Sequence, residues 1–257
     1  MSQSTRHSLV ETIMDNMAPV HSDGYKFLIP AALLAVFLWF MLPFSLLAYL
    51  ALLLAVYIAY FFRDPPRVTP LREGLVISPA DGRISSIERI MPPAELGLGS
   101  DERLRISIFL SVFDVHINRA PVAGRIIRSI YVPGAFMNAA LDKASEENER
   151  RSIVISVKGH VVGGTTGAVE GTPGAGAEIA VVQIAGLIAR RIVTFVKEGE
   201  NVGTGERFGL IRFGSRVDVF LPPNQGCLVA VGQRAVGGET VLADMKSNEA
   251  EREARVV

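Results

Sequence analysis

From Phe27 to Phe62 the chain reads FLIPAALLAVFLWFMLPFSLLAYLALLLAVYIAYFF, without one charged side chain. No other feature limits the fold as strongly, because so much contiguous apolar surface must be hidden from water. The run is too long for the core of a secretory signal. A tilted helix crosses a bilayer with about 20 apolar residues, so the stretch suits either one overlong span or two shorter helices folded back at Pro43. The helical hairpin is the favoured reading, and a buried core helix is the bland alternative. Lys26 precedes the run and Arg63, Arg67 and Arg72 follow it, so both flanks are mildly basic and both suit the cytoplasmic side of the membrane.

Outside that run, the composition is that of a modest globular domain. The chain has 257 residues and a formal charge of zero, so no basic excess points to nucleic acid. Cys227 is the only cysteine, which excludes a disulfide within the chain and fits a reducing compartment.

Residues 1–26 are polar and patternless and read as an arm. FFRDPPRVTP at 61–70 breaks any helix at Pro65, Pro66 and Pro70 and separates the membrane segment, 27–62, from a domain expected over 63–245. That domain is mostly β. Val- and Ile-rich runs such as GLVISPADGRISSIERI, RLRISIFLSVFDVHI, RIIRSIYV, SIVISVKGHVV, EIAVVQIAGLIARRIVTFV and CLVAVGQRAV alternate with Gly, Pro, Asn and Asp turns. This spacing predicts a compact β-sandwich or barrel. One short helix is expected, over 139–151, and VKEGENVGTGERFG has the texture of a small β-hairpin. A charged tail, 246–257, closes the chain.

Three constellations carry chemistry. In LIRFGSRVDVFLP, residues 210–222, a strand pattern places Ser215 on the apolar face with Ile211, Phe213, Val217 and Val219, and places Gly214 beside it in the middle of the strand. A buried hydroxyl is costly without a partner, and a glycine inside a strand marks a bend or a close approach. Attack of the Ser215 hydroxyl on the Gly214 carbonyl would turn the peptide into an ester, and β-elimination would then cut the chain and leave a pyruvoyl group at residue 215. Gly-Ser is also a common turn, so the pair alone carries little. In SPADGRI, 78–84, Asp81-Gly82 reads at face value as a hairpin turn. In FLSVFDVHINRAPVAG, 109–124, Asp114, His116 and Asn118 share one strand face and Arg119 points the other way.

Taken in order, FFRDPPR, SPADGRI, FLSVFDVHINRAPVAG, NERR, IAGLIARRI and RFGSRVDVFLP resemble the phosphatidylserine decarboxylases in their short bacterial and archaeal form. The resemblance runs from Phe61 to about Gly232. It implies self-cleavage between Gly214 and Ser215, a pyruvoyl prosthetic group made from Ser215, and attachment to the cytoplasmic membrane. It also implies a chain 1–214 that stays with a chain 215–257, and is compatible with a homo-oligomer; no metal is called for. Two departures stand out. Longer relatives carry leucine-glycine-serine-threonine at the cut, where this chain has Phe213-Gly214-Ser215-Arg216. They also carry D-x-H-x-x-H, where this chain has Asp114, His116 and then Arg119, and a guanidinium is no base near neutral pH. His116 matches the histidine associated with decarboxylation, and Asp81 matches an acid that orients a histidine in the longer forms.

The implied reaction removes carbon dioxide from phosphatidylserine to give phosphatidylethanolamine, with the pyruvoyl group as electron sink. His116 is the candidate proton donor. Arg119, Arg190, Arg191 and Arg216 are candidates to hold the lipid phosphodiester, with Arg119 and Arg191 preferred. Rival readings are a membrane-tethered carrier module, for which Asp142-Lys143-Ala144 spells a lipoyl-type triplet, and an unprocessed binding relative. Lys143 sits in a stretch that reads as helix, whereas a carrier lysine belongs at a hairpin tip.

Overall fold

The computed structural model describes residues 18–43, 45–135, 147–157, 177–186, 191–212, 215–247, 249 and 252. The chain divides into two compact units, Met1–Pro66 and Arg67–Val257.

The first unit is a helical hairpin. Helix α1 spans Ser22–Met41 and helix α2 spans Leu46–Phe61, so the apolar run breaks around Pro43. α1 starts before the uncharged run, within the stretch read as a polar arm. His21 caps it by accepting from the Asp23 N–H at 3.2 Å, and Ser45 caps α2 through the Ala48 N–H at 3.2 Å. The residues buried within the hairpin are mainly small, Ala31 and Ala35 on α1 and Ala48, Ala51 and Ala55 on α2. Small side chains let apolar helices approach closely, which is how helices pair where no hydrophobic effect drives them together. Trp39 and Tyr49 meet edge to face at 5.7 Å near the bend. Large apolar side chains, among them Leu33, Phe37, Phe40, Leu46 and Leu53, point outwards. α1 is long and apolar enough to cross a membrane; α2, with 16 residues, rises only about 24 Å.

The second unit is mainly β. Its strands are β1 (Leu75–Ile77), β2 (Gly82–Ile90), β3 (Arg103–Leu110), β4 (Ile117–Arg119), β5 (Gly124–Val132), β6 (Arg150–Val157), β7 (Glu178–Ala185), β8 (Ile192–Thr194), β9 (Asn201–Val202), β10 (Arg207–Ile211), β11 (Ser215–Phe220), β12 (Arg234–Ala235) and β13 (Val241–Asp244). Eight of them form a curled antiparallel sheet in the order β12-β2-β3-β11-β7-β6-β5-β9, with a three-stranded sheet β4-β10-β8 and a β1-β13 pair beside it. Alternation along the central strands sorts their side chains. Ile153, Ile155, Ile179, Val181, Val217 and Val219 enter the main core, while Val154, Ala180, Val182, Ile184 and Phe220 pack on the other face with Leu96 and Leu98.

Several sequence expectations change here. LIRFGSRVDVFLP is not one strand: β10 and β11 belong to different sheets, and Phe213 and Gly214 lie outside the described residues. Asp81-Gly82 is not a hairpin turn, because β1 pairs with β13 whereas β2 pairs with β3 and β12. Asp114 and His116 precede a β4 of three residues rather than lying on one long strand. The expected helix over 139–151 lies mostly outside the described residues, and its last two residues, Arg150 and Arg151, open β6. VKEGENVGTGERFG makes no hairpin of its own, since β9 pairs with β5 and β10 with β4 and β8. β13, unmarked in the sequence reading, covers β1.

Candidate functional site

At one end, each strand of the three-stranded sheet connects to a central strand of the eight-stranded sheet. Ser215, the first residue of β11, pairs with Leu110 at the end of β3 and with Ala185 at the end of β7. On the three-stranded sheet, Leu210 pairs with Ile117 at the start of β4, and Ile211 pairs with Ile192 at the start of β8. At this end the chain therefore passes from sheet to sheet three times, and the passage that leads into Ser215 is the middle one. Backbone bonds hold its flanks: Ile211 N–H donates to the His116 carbonyl and Arg212 N–H donates to the Arg191 carbonyl, both at 3.2 Å.

Ser215 is fully buried on the core face, and its Oγ has no hydrogen-bond partner among the described residues. A hydroxyl left so costs on the order of 1–3 kcal/mol, and such groups in native folds call for an explanation. His116 is 1% exposed, and its Nδ1 lies 3.0 Å from the Asp114 carbonyl oxygen. A carbonyl only accepts, so the neutral ring carries its proton on Nδ1 and Nε2 is the basic nitrogen. Asp114 is itself fixed: one carboxylate oxygen accepts from the Ser111 N–H at 2.8 Å and the other from Arg234 at 2.9 Å. The Ser111–Asp114 turn thus orients the imidazole through its backbone. The sequence reading named Asp114 but could not see this, because the contact is to a carbonyl and the brace, Arg234, is remote in the chain.

Asn118 turns towards the main sheet, where its Oδ1 accepts from Gln183 Nε2 at 2.7 Å. This buried bond joins β4 to β7, and Gly209 makes room for it: a Cβ there would lie 2.7 Å from the Val193 carbonyl oxygen and 2.9 Å from Gln183 Nε2. Arg119 goes the opposite way, as alternation requires, and donates to the Gly205 carbonyl at 3.1 Å. It belongs to a second cluster. Arg67 Nη2 reaches both oxygens of Asp81 at 2.9 and 2.8 Å, and the Gly237 N–H donates to the same carboxylate at 2.7 Å. A Cβ on Gly238 would meet Arg119 Cδ at 2.8 Å and Arg67 Cβ at 3.4 Å, so both arginines converge on that glycine. Asp81 is thus paired with the Arg67 guanidinium and the Gly237 N–H, with Arg119 nearby at Gly238. Arg67 lies inside the quoted FFRDPPR motif, yet nothing in its spacing announced Asp81 as its partner.

The other candidates separate. Arg191 is exposed beside the crossover. Arg216 faces away from Ser215 and is buried against Asp218, with a hydrogen bond of 3.0 Å. Gly214, Arg190 and Lys143 lie outside the described residues.

The β unit thus brings a buried serine and an oriented histidine to one strand crossover, with Arg191 exposed beside it. Comparison with known proteins says which chemistry it serves. The family model for phosphatidylserine decarboxylase matches residues 54–243. Relatives named phosphatidylserine decarboxylase proenzyme are 52% identical over 94% of this chain and 96% of the relative in Xanthobacter autotrophicus. The corresponding figures are 54%, 92% and 94% in Azorhizobium caulinodans. In Nitrobacter winogradskyi they are 53%, 93% and 89%. The class is that of the decarboxylases. The chain belongs to the phosphatidylserine decarboxylase family, and the carrier reading falls away.

Proposed function

We propose that the chain cuts itself between Gly214 and Ser215 and then, with a pyruvoyl group formed from Ser215, converts phosphatidylserine to phosphatidylethanolamine at the cytoplasmic face of the membrane. The observation that carries this reading is the buried Ser215 hydroxyl, without a partner among the described residues, at the crossover flanked by His116, in a chain whose relatives are named proenzymes.

In the cut, Ser215 Oγ attacks the Gly214 carbonyl carbon, the C–N bond breaks and the acyl group passes to oxygen. Elimination across Cα–Cβ of residue 215 releases the Gly214 carboxylate, and addition of water with loss of ammonia leaves the ketone. Residue 215 fits such a group. It opens a strand held between β3 and β7, so the new end of the small chain stays in place after scission. β12 on β2 and β13 on β1 add further ties between the piece 1–214 and the piece 215–257.

The pyruvoyl group supplies an electron sink for loss of carbon dioxide. His116 Nε2, with Nδ1–H committed to the Asp114 carbonyl, first takes up a proton and as the imidazolium gives it to the substrate carbon that carried the carboxylate. Leu110, Ala185 and Val217 around residue 215 keep water away from that carbon. Arg191, exposed beside the crossover, and Arg119 hold the phosphodiester. Asp81 acts from the second cluster, where it ties Arg67 to the Gly237 backbone and so sets the position of Arg119. The hairpin within 27–62 serves as the membrane segment, and 63–245 as the catalytic domain.

The test is the mass of the purified protein. Wild type is expected to separate on a denaturing gel into two pieces, the smaller lighter by one ammonia than the peptide 215–257 and resistant to Edman sequencing. Ser215→Ala is expected to stay whole and inactive. An active preparation consisting of a single intact chain would overturn the proposal.

A further inference from the structure

Beside the crossover, the β12 edge of the large sheet carries exposed apolar side chains that neither the cut nor the decarboxylation uses. Phe113, in the Ser111–Asp114 turn, is 63% exposed, and Val231, just before β12, is 58% exposed. Single apolar side chains on a surface are ordinary. These are joined by cations. Arg234 on β12, itself 67% exposed, donates to Asp114 and so ties the strand edge to the Phe113 turn. Arg83 on β2 stands directly opposite Arg234 and donates to the Gly232 carbonyl at 3.2 Å. The Gly232 N–H in turn donates to Ile84, which fixes the Val231 turn against β2.

Like charges placed opposite each other weaken a strand pair. Arg234 is answered by Asp114, whereas Arg83 donates to a carbonyl and has no carboxylate partner among the described residues, so the pair costs stability. The row is in register with the site. Counting across the pairings, Arg234, Arg83, Phe109 and Arg216 stand side by side, so the row runs to the strand that Ser215 opens, on the sheet face opposite the Ser215 side chain. Exposed apolar tips set among guanidinium groups suit the boundary of an anionic bilayer, where the tips enter the acyl region and the cations meet phosphates.

We infer that Phe113 and Val231, together with Arg83 and Arg234, form the surface by which the β unit docks on an anionic phospholipid bilayer. The inference deepens the proposed function, and rests on it for its purpose: docking there brings lipid head groups to the crossover that holds His116 and Ser215. Insertion itself does not depend on processing.

The experiment uses the full chain with Ser215→Ala, so that self-cleavage plays no part. Trp39, the single tryptophan, is replaced by Phe, and Phe113→Trp supplies the probe. The protein is reconstituted in phosphatidylcholine vesicles with or without phosphatidylglycerol, with bromine on the acyl chains. The expected result is a blue-shifted emission that loses most of its intensity to brominated chains when phosphatidylglycerol is present, and loses much less once Arg83→Glu is added. A probe at Tyr131→Trp on β5 is expected to stay unquenched. Emission from position 113 that remains water-like and unquenched in anionic vesicles overturns the docking, as does equal quenching at positions 113 and 131. Failure of wild type to cleave would instead refute the proposed function and leave this result untouched.

Discussion

His116 shows how much a single side chain owes to its neighbours. Its sequence position made it a candidate proton donor, and with Nδ1 3.0 Å from the Asp114 carbonyl oxygen the proposed donor nitrogen is Nε2. If that nitrogen serves decarboxylation, His116→Ala is expected to yield two chains on a gel but to turn over phosphatidylserine about 10²–10⁴-fold more slowly, the usual cost of losing a general acid. A His116→Ala protein that stays in one piece would show that the imidazole also activates Ser215. One that is cut and works at the wild-type rate would remove His116 from the mechanism. The candidate residues themselves were legible, because Ser215, His116, Asp81 and Arg119 each sit in a motif. Their partners were not. Arg67 on Asp81 and Arg234 on Asp114 are separated from them by many residues, and no local pattern records a contact that only folding creates.

At the scale of elements, the pattern of alternation found most strands and misjudged where they stop. Short apolar runs continue through a change of sheet without any break in their two-residue period, which is why β10 and β11 read as one strand and why the β3 run seemed to include His116. Glycines mark some of these changes by close approach. A Cβ on Gly82, where the chain enters β2, would fall 2.2 Å from the Phe109 carbonyl oxygen, so the β2–β3 pairing tolerates no side chain there. Gly82→Ala is expected to lower stability by about 1–3 kcal/mol or to prevent folding, as overpacking of a rigid contact does. Gly203→Ala is the comparison, since its Cβ would meet nothing nearer than Glu206 Oε2 at 3.5 Å. Denaturant midpoints of the two variants measure the difference; equal midpoints would mean that β3 yields easily at Phe109.

For the whole molecule, the division into Met1–Pro66 and Arg67–Val257 gives the apolar hairpin and the β unit separate contact networks. Deleting residues 1–62 is accordingly expected to release a soluble protein that still cleaves itself, because Ser215, His116 and the Arg67–Asp81 cluster all lie in the second unit. Sedimentation from membrane-free lysate and a denaturing gel check the two halves of that statement. A truncated chain that is soluble yet wholly unprocessed would make the hairpin part of the catalytic fold rather than an anchor.

Some properties were decided by the sequence alone, for a local reason. The uncharged run cannot be solvated, Pro43 interrupts it, and period-two alternation commits the remainder to sheets, so the helical hairpin and the mainly β class follow from neighbours in the chain. The order of the Gly-Ser, Asp-x-His and SPADG motifs likewise announced the family without any coordinates. Only the tertiary structure decided that Ser215 opens a strand between β3 and β7, that its Oγ is buried without a partner among the described residues, and that Asp81 is held by Arg67. Those facts depend on which distant strands pair and on which buried groups remain unsatisfied after they do, and both are settled by the packing of the whole chain rather than by any stretch of it.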